Sequence, residues 1–231
     1  MTRDELVTRV GLKLGLAYDV SGDERDLLRA WVNEAIVDIL LRTHIYIAIG
    51  DVTLTSGTAE YRLDASVLAI DDGRGSTPAG IGHYNVIGLG EMIDRQSTNV
   101  VSSGYRKYIA IEGDLLIVSP TPGASETLRF FYVPQPTVTS SGSHDPSNAT
   151  YGGIPTWAHR SIEYYMLWQG AEYDDKSAAL TPKDYHDLYL AECDEIGKRR
   201  RRHRDRAMIP PRIGYPGSRR NQLTPNSQYP R

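Results

Sequence analysis

Residues 23–55 read DERDLLRAWVNEAIVDILLRTHIYIAIGDVTLT, and the spacing of apolar residues changes inside this stretch. Up to His44 the period is helical: Leu28, Trp31, Val32, Ala35, Ile36, Ile39 and Leu40 recur at steps of three and four. Arg25, Arg29, Glu34 and Asp38 hold the opposite side, so one face is dry and the other wet. From Ile45 the chain alternates and becomes β-branched, with IYIAI at 45–49 and DVTLT at 51–55. A long amphipathic helix therefore runs directly into a β region.

Working outward, the N-terminal side carries a second helical signal. Thr2-Arg3-Asp4-Glu5 has capping-box spacing, and Leu6, Val7, Val10 and Leu14 follow as a stripe. Ser21-Gly22-Asp23-Glu24 repeats that spacing before the longer helix. On the C-terminal side, EYRL at 60–63 follows a Ser56-Gly57 turn, and Tyr105–Ile111, Leu115–Ser119 and Thr127–Val133 read as further strands. Glu112-Gly113-Asp114 marks a tight hairpin between two of these. DDGRGSTPAGIGH, residues 71–83, is glycine-rich enough to predict an exposed loop. Strands packed this closely in sequence predict antiparallel pairing, because parallel neighbours need a long crossover.

Helical patterning returns after a long polar loop over 137–153. Pro155 sits at a first helical position, and Trp157, Ile162, Tyr165, Met166 and Trp168 predict a helix packed on more than one side. Thr181-Pro182 then opens a last helix, with a stripe of Tyr185, Leu188, Tyr189, Cys193 and Ile196. The expected fold is α+β: N- and C-terminal helices form a helical bundle, with an inserted antiparallel β region and an extended C-terminal arm. The expected divisions are 1–44 and 154–204 for the bundle, 45–136 for the β insertion, 137–153 for the loop and 205–231 for the arm. The expected bundle core is Leu28, Trp31, Val32, Ile36, Ile39, Trp157, Ile162, Tyr165, Met166 and Leu188.

The arm is the least ordinary part of the chain. Lys198–Arg231 holds eleven of the 26 Lys and Arg and one of the 29 acids, Asp205, so residues 1–197 carry net −13 and the tail +10. Beyond Met208 the tail has five prolines and few apolar anchors (Ile209, Ile213, Tyr215, Leu223 and Tyr229), too few to offset its ordering entropy alone. Such a charge split points to an interaction arm. Two classes of partner fit it. A nucleic acid would be bound through phosphate neutralisation, although the −13 body would repel the same polyanion. A protein with an acidic surface would be gripped by bidentate arginines and by tyrosine anchors.

The sequence offers no chemistry to set against this reading. One cysteine, Cys193, excludes a disulfide framework. No two of His44, His83, His144, His159, His186 and His203 have the spacing of a helical zinc pair. Gly80-Ile81-Gly82 and Gly88-Leu89-Gly90 complete no phosphate-binding motif, and Asp174-Asp175 reads as a hydrated helix end. No catalytic residue, metal or cofactor is expected, and no apolar run is long enough to span a bilayer. The expectation is a protein made in a cytoplasm that is not an enzyme.

The order of the blocks resembles the head-to-tail adaptor, or connector, proteins of tailed bacteriophages. LLRAWVNEAIVDILLRTH at 27–44 is similar to that family's early helix, and DVTLTSGTAEYRLDASVLAIDD at 51–72 to its strand, turn and Tyr-x-Leu segment. IPTWAHRSIEYYMLWQGAEYDD at 154–175 is similar to its Pro-Trp helix with paired tyrosines, and the helix from Pro182 to its closing helix. The resemblance implies a structural virion protein at the head–tail neck. Its neighbouring copies, usually twelve, would form a ring below the portal protein. That ring would extend the channel for genomic DNA, without sequence-specific binding, and would receive the next neck or tail protein. By position, the arm would dock on the portal through Arg199, Arg200, Arg201, Arg202, Arg204, Arg206, Arg212, Tyr215, Arg219, Arg220, Tyr229 and Arg231.

Overall fold

The computed structural model describes residues 1–16, 22–63, 67–77, 80–97, 107–173 and 179–208. Helix α1 (Arg3–Lys13) starts at the predicted capping box: Thr2 accepts from the Glu5 amide, and Glu5 accepts from the Thr2 amide. Helix α2 (Asp23–Thr43) starts differently. Its cap is Gly22 at φ 63°, without a side-chain hydrogen bond, and Ser21 lies outside the described residues. The helix ends at His44, which turns left-handed at φ 48° while its N–H donates to the Leu40 carbonyl at 2.9 Å. That reversal is where the apolar period changes.

Helix α4 (His159–Tyr173) and helix α5 (Pro182–Met208) complete the helical layer. All four helices share one apolar core. Leu6, Val10, Leu28, Val32, Ile36, Ile39, Leu40, Ile162, Met166 and Tyr189 are buried in it, with Trp31 in its wall and Tyr165 half-buried against it. Each such side chain contributes about 1.5–3 kcal/mol through removal from water. Helices α1 and α4 approach closely at Gly170, where a Cβ would stand 2.4 Å from Leu14. Two expected core residues do not belong. Trp157 is 47 % exposed because it lies on a 3-10 turn, Thr156–Ala158, ahead of α4, where helical spacing fails. Leu188 is 36 % exposed because Tyr185, Tyr189, Cys193 and Ile196 already fill the inward stripe of α5.

The β part is a seven-stranded sheet: β1 (Ala48–Leu54), β2 (Glu60–Arg62), β3 (Val67–Thr77), β4 (Gly80–Val86), β5 (Lys107–Glu112), β6 (Leu115–Ser119) and β7 (Glu126–Pro134). Their spatial order is β1-β7-β3-β4-β5-β6-β2. Two expectations are corrected here. The stretch read as a loop over 71–83 is mostly strand, pairing β3 with β4 and with β7. Its Gly73 and Gly75 stand opposite Phe130 and Leu128 of β7. On the other side of β7 a Cβ at Gly50 would stand 2.6 Å from the Phe130 ring, so that glycine leaves room for it. The sheet is also not wholly antiparallel: β4 and β5 run parallel, joined by a segment that contains helix α3 (Leu89–Ser97). Met92 of α3 is fully buried with Ala110 and Ile117, so this helix covers part of the sheet.

The long segment after β7 is pinned to α1. The Arg3 and Asp4 amides donate to the His144 and Gly142 carbonyls, both at 3.0 Å. The buried Arg3 guanidinium donates to the Thr139 carbonyl and to Asn33 Oδ1, and desolvation holds its pKa below the usual arginine value. Asp4 accepts from Arg25 and Arg29 at 2.8 and 2.9 Å. A Cβ at Gly142 would stand 1.9 Å from the Asp4 carboxylate and would force it out of its pairs with Arg25 and Arg29.

Candidate partner interface at the basic end of α5

Helix α5 is firmly started. Thr181 and Asp184 cap it reciprocally: Thr181 Oγ1 and N donate to the Asp184 carboxylate at 2.6 and 3.2 Å, and the Asp184 amide donates back at 3.3 Å. These bonds hold the Asp184 carboxyl below its ordinary pKa. One face is held by Tyr189, whose hydroxyl donates to Asp38 of α2 and is fully buried. Burial, and then that hydrogen bond, push the Tyr189 pKa far above its usual range. Burial likewise raises the Cys193 thiol, which fits a packing role rather than a reactive one.

The basic block begins where that core ends, just past Ile196. Lys198 pairs with Asp194 at 2.6 Å, Arg199 with Glu195 at 3.5 Å and Arg201 with Asp194 at 4.0 Å. These pairs follow the helical repeat and sit at the macrodipole's negative end, so the arginines extend the helix instead of ending it. The Arg199 guanidinium lies over the Trp157 ring at 4.8 Å. On α4, Arg160 donates to the Tyr164 hydroxyl at 2.9 and 2.6 Å and faces Glu192 of α5 at 3.8 Å. Trp157, Arg160, Tyr164 and Arg199 thus form one aromatic and cationic surface across the α4–α5 seam. Buried aromatic and arginine side chains are the types that carry most binding energy at protein interfaces.

The structure brings only part of the predicted site together. Arg199, Arg200 and Arg201 lie on the last turns of α5, with Arg199 built into the surface just described. Arg202, Arg204 and Arg206 continue the same helix. Arg212, Tyr215, Arg219, Arg220, Tyr229 and Arg231 lie outside the described residues. Sequence reasoning missed Trp157, Arg160 and Tyr164 as surface residues. Arg160 and Tyr164 stand four apart, which would have shown them as neighbours, but the apolar density of α4 drew attention to its core.

Residues 1–213 match the SU10 adaptor protein family. The chain belongs to that family. The SU10 adaptors are phage head-to-tail adaptors, so membership gives this chain a structural role in the virion and associates it with other virion proteins. No curated protein matches it. For this SU10 adaptor the match covers all described residues and ends at Ile213, so the residues after it lie beyond the family's shared region. Among the described residues no helix is long and apolar enough to cross a membrane, and no three His, Cys, Asp or Glu gather as a metal site.

Proposed function

We propose that copies of this adaptor close into a ring beneath the portal, extend the DNA channel and receive the next neck or tail protein. The basic end of α5, with the start of the arm that follows it, docks on the portal. One observation carries the docking: Arg199 to Arg206 continue a helix beyond its buried stripe, so positive charge stands on a rigid element beside Trp157. A preformed helix loses less entropy on binding than a free arm does. The acidic body suits a wall past which DNA slides, because like charge opposes tight binding. Its half-exposed tyrosines and helix faces are available to neighbouring copies.

The test compares the full chain with one ending at residue 197, in nuclease-treated pull-downs from phage-infected cells. The shorter chain keeps the buried α5 stripe through Ile196, and circular dichroism checks its fold. The full chain should recover a large ring-forming protein, and the shorter chain should lose it by roughly a hundredfold or more. Equal recovery by both chains would refute docking through the arm. Recovery of nucleic acid alone, without nuclease, would favour polyanion binding, with affinity falling steeply in salt.

A further inference from the structure

The opposite end of the α4–α5 pair is built differently. There the end of α1, the start of α2 and the end of α4 enclose an apolar cleft of about 120 Å³, walled by Leu14, Leu27, Trp31 and Tyr173. A cavity of about 150 Å³ admits benzene, so this one has room for a single branched or aromatic side chain. Tyr173 is 78 % exposed at its rim and meets the Trp31 ring edge-on at 6.3 Å. Glu24 also lines it, exposed and, among the described residues, in no ion pair. The cleft therefore fits an apolar side chain that arrives with a cation.

We propose that it receives the distal arm of a second copy of this chain, with Leu223 in the cleft and Arg219 and Arg220 beside Glu24. Three observations converge on this occupant. The arm is the chain's one strongly basic segment, and Arg219-Arg220-Asn221-Gln222-Leu223 sets two cations just ahead of an apolar anchor. This segment also lies beyond Ile213, where the family match stops, so the family's shared contacts do not require it. Reach decides the rest. Arg199 meets Trp157 ahead of α4, and His186 meets Trp168 near its other end, so the two helices run antiparallel. The 27 residues of α5 then carry its end about 40 Å from the level of the cleft. From Met208, Tyr215 reaches only about 25 Å and Leu223 about 50 Å. Within one copy, the 15 residues to Leu223 would have to double back along α5 over about 40 Å, roughly twice the span of about 20 Å that a flexible segment of that length prefers, so a second copy is the better acceptor. The inference rests on the adaptor reading only for the presence of neighbouring copies. Arg199 to Arg206 remain with the portal.

Cysteine pairing tests it in full-length chains. One chain carries Tyr173→Cys, the other Leu223→Cys, and the two are mixed under a mild copper-phenanthroline oxidant. A disulfide requires Cα atoms within about 7 Å, so a covalent heterodimer reports the contact. The mixture should cross-link at least tenfold more than chains holding only the buried Cys193. Arg219→Glu with Arg220→Glu should abolish the product, and Glu24→Arg in the acceptor should restore it. No heterodimer would overturn the proposal, and so would a link that forms only inside a single chain carrying both cysteines. Charge reversal without effect would overturn it too. Portal capture by these chains is scored separately, since all retain Arg199 to Arg206.

Discussion

The two ends of the α4–α5 pair place opposite chemistry on one scaffold. At one end, Arg199 lies over Trp157 while Arg160 meets Tyr164 and Glu192, an open surface of rings and cations. At the other, Trp31 and Tyr173 border an apolar recess that, among the described residues, has Glu24 as its one carboxylate. The core between them is common to both, with Tyr165, Tyr189 and Trp168 packed edge to face or stacked. The contrast separates two tasks. Side chains between the ends hold the helices together, and those at the ends, Trp157 and Tyr173 among them, are exposed.

That separation can be broken at three places. Ile36, fully buried between the helices, should cost about 2–5 kcal/mol when changed to alanine, as a lost transfer term plus a cavity. Urea unfolding would read this as a lower midpoint, and portal capture by the surviving folded protein should be unchanged. Trp157→Ala should behave in the reverse sense. An exposed cation–π pair contributes about 0.5–1 kcal/mol to stability, whereas an interface anchor is worth about 2 kcal/mol or more, close to a 30-fold weaker affinity. Titration of the isolated portal ring against both variants would separate the two roles.

The smallest effect concerns pH. His159 is buried at the start of α4, its Nε2 donating to the Ile154 carbonyl at 3.0 Å, with Asp145 at 3.9 Å. Burial holds its pKa below the usual histidine value. The unfolded chain therefore takes up this proton first, so stability rises with pH through the window below about 6.5 and is lost as pH falls. Between pH 7.5 and 5.5 the native protein should lose more stability than His159→Gln does, read from urea midpoints. An equal loss in both would place the pH dependence elsewhere.

The helices were legible in the sequence because their apolar residues keep a period of three to four and each helix has one dry face. Thr2 and Glu5 even specify the cap at the start of α1. Trp157 misled because a 3-10 turn interrupts that period one residue ahead of α4. The sheet was less legible. Gly73 and Gly75 read as loop residues until β7 places Phe130 and Leu128 opposite them, and no local pattern reports a partner over 50 residues away. The parallel β4–β5 pair is hidden for the same reason, since pairing direction depends on the path between strands. Of the surface proposed to meet the portal, charge marked Arg199, but only the fold sets it over Trp157.

The central claim is that the basic end of α5 faces the portal. Its most direct measurement places a photoreactive amino acid at the exposed Arg201 of that helix and irradiates infected cells during assembly. Mass spectrometry of the adduct should identify the ring-forming portal protein as the main cross-linked species. An adduct mainly to nucleic acid, or to a tail protein without the portal, would contradict the account.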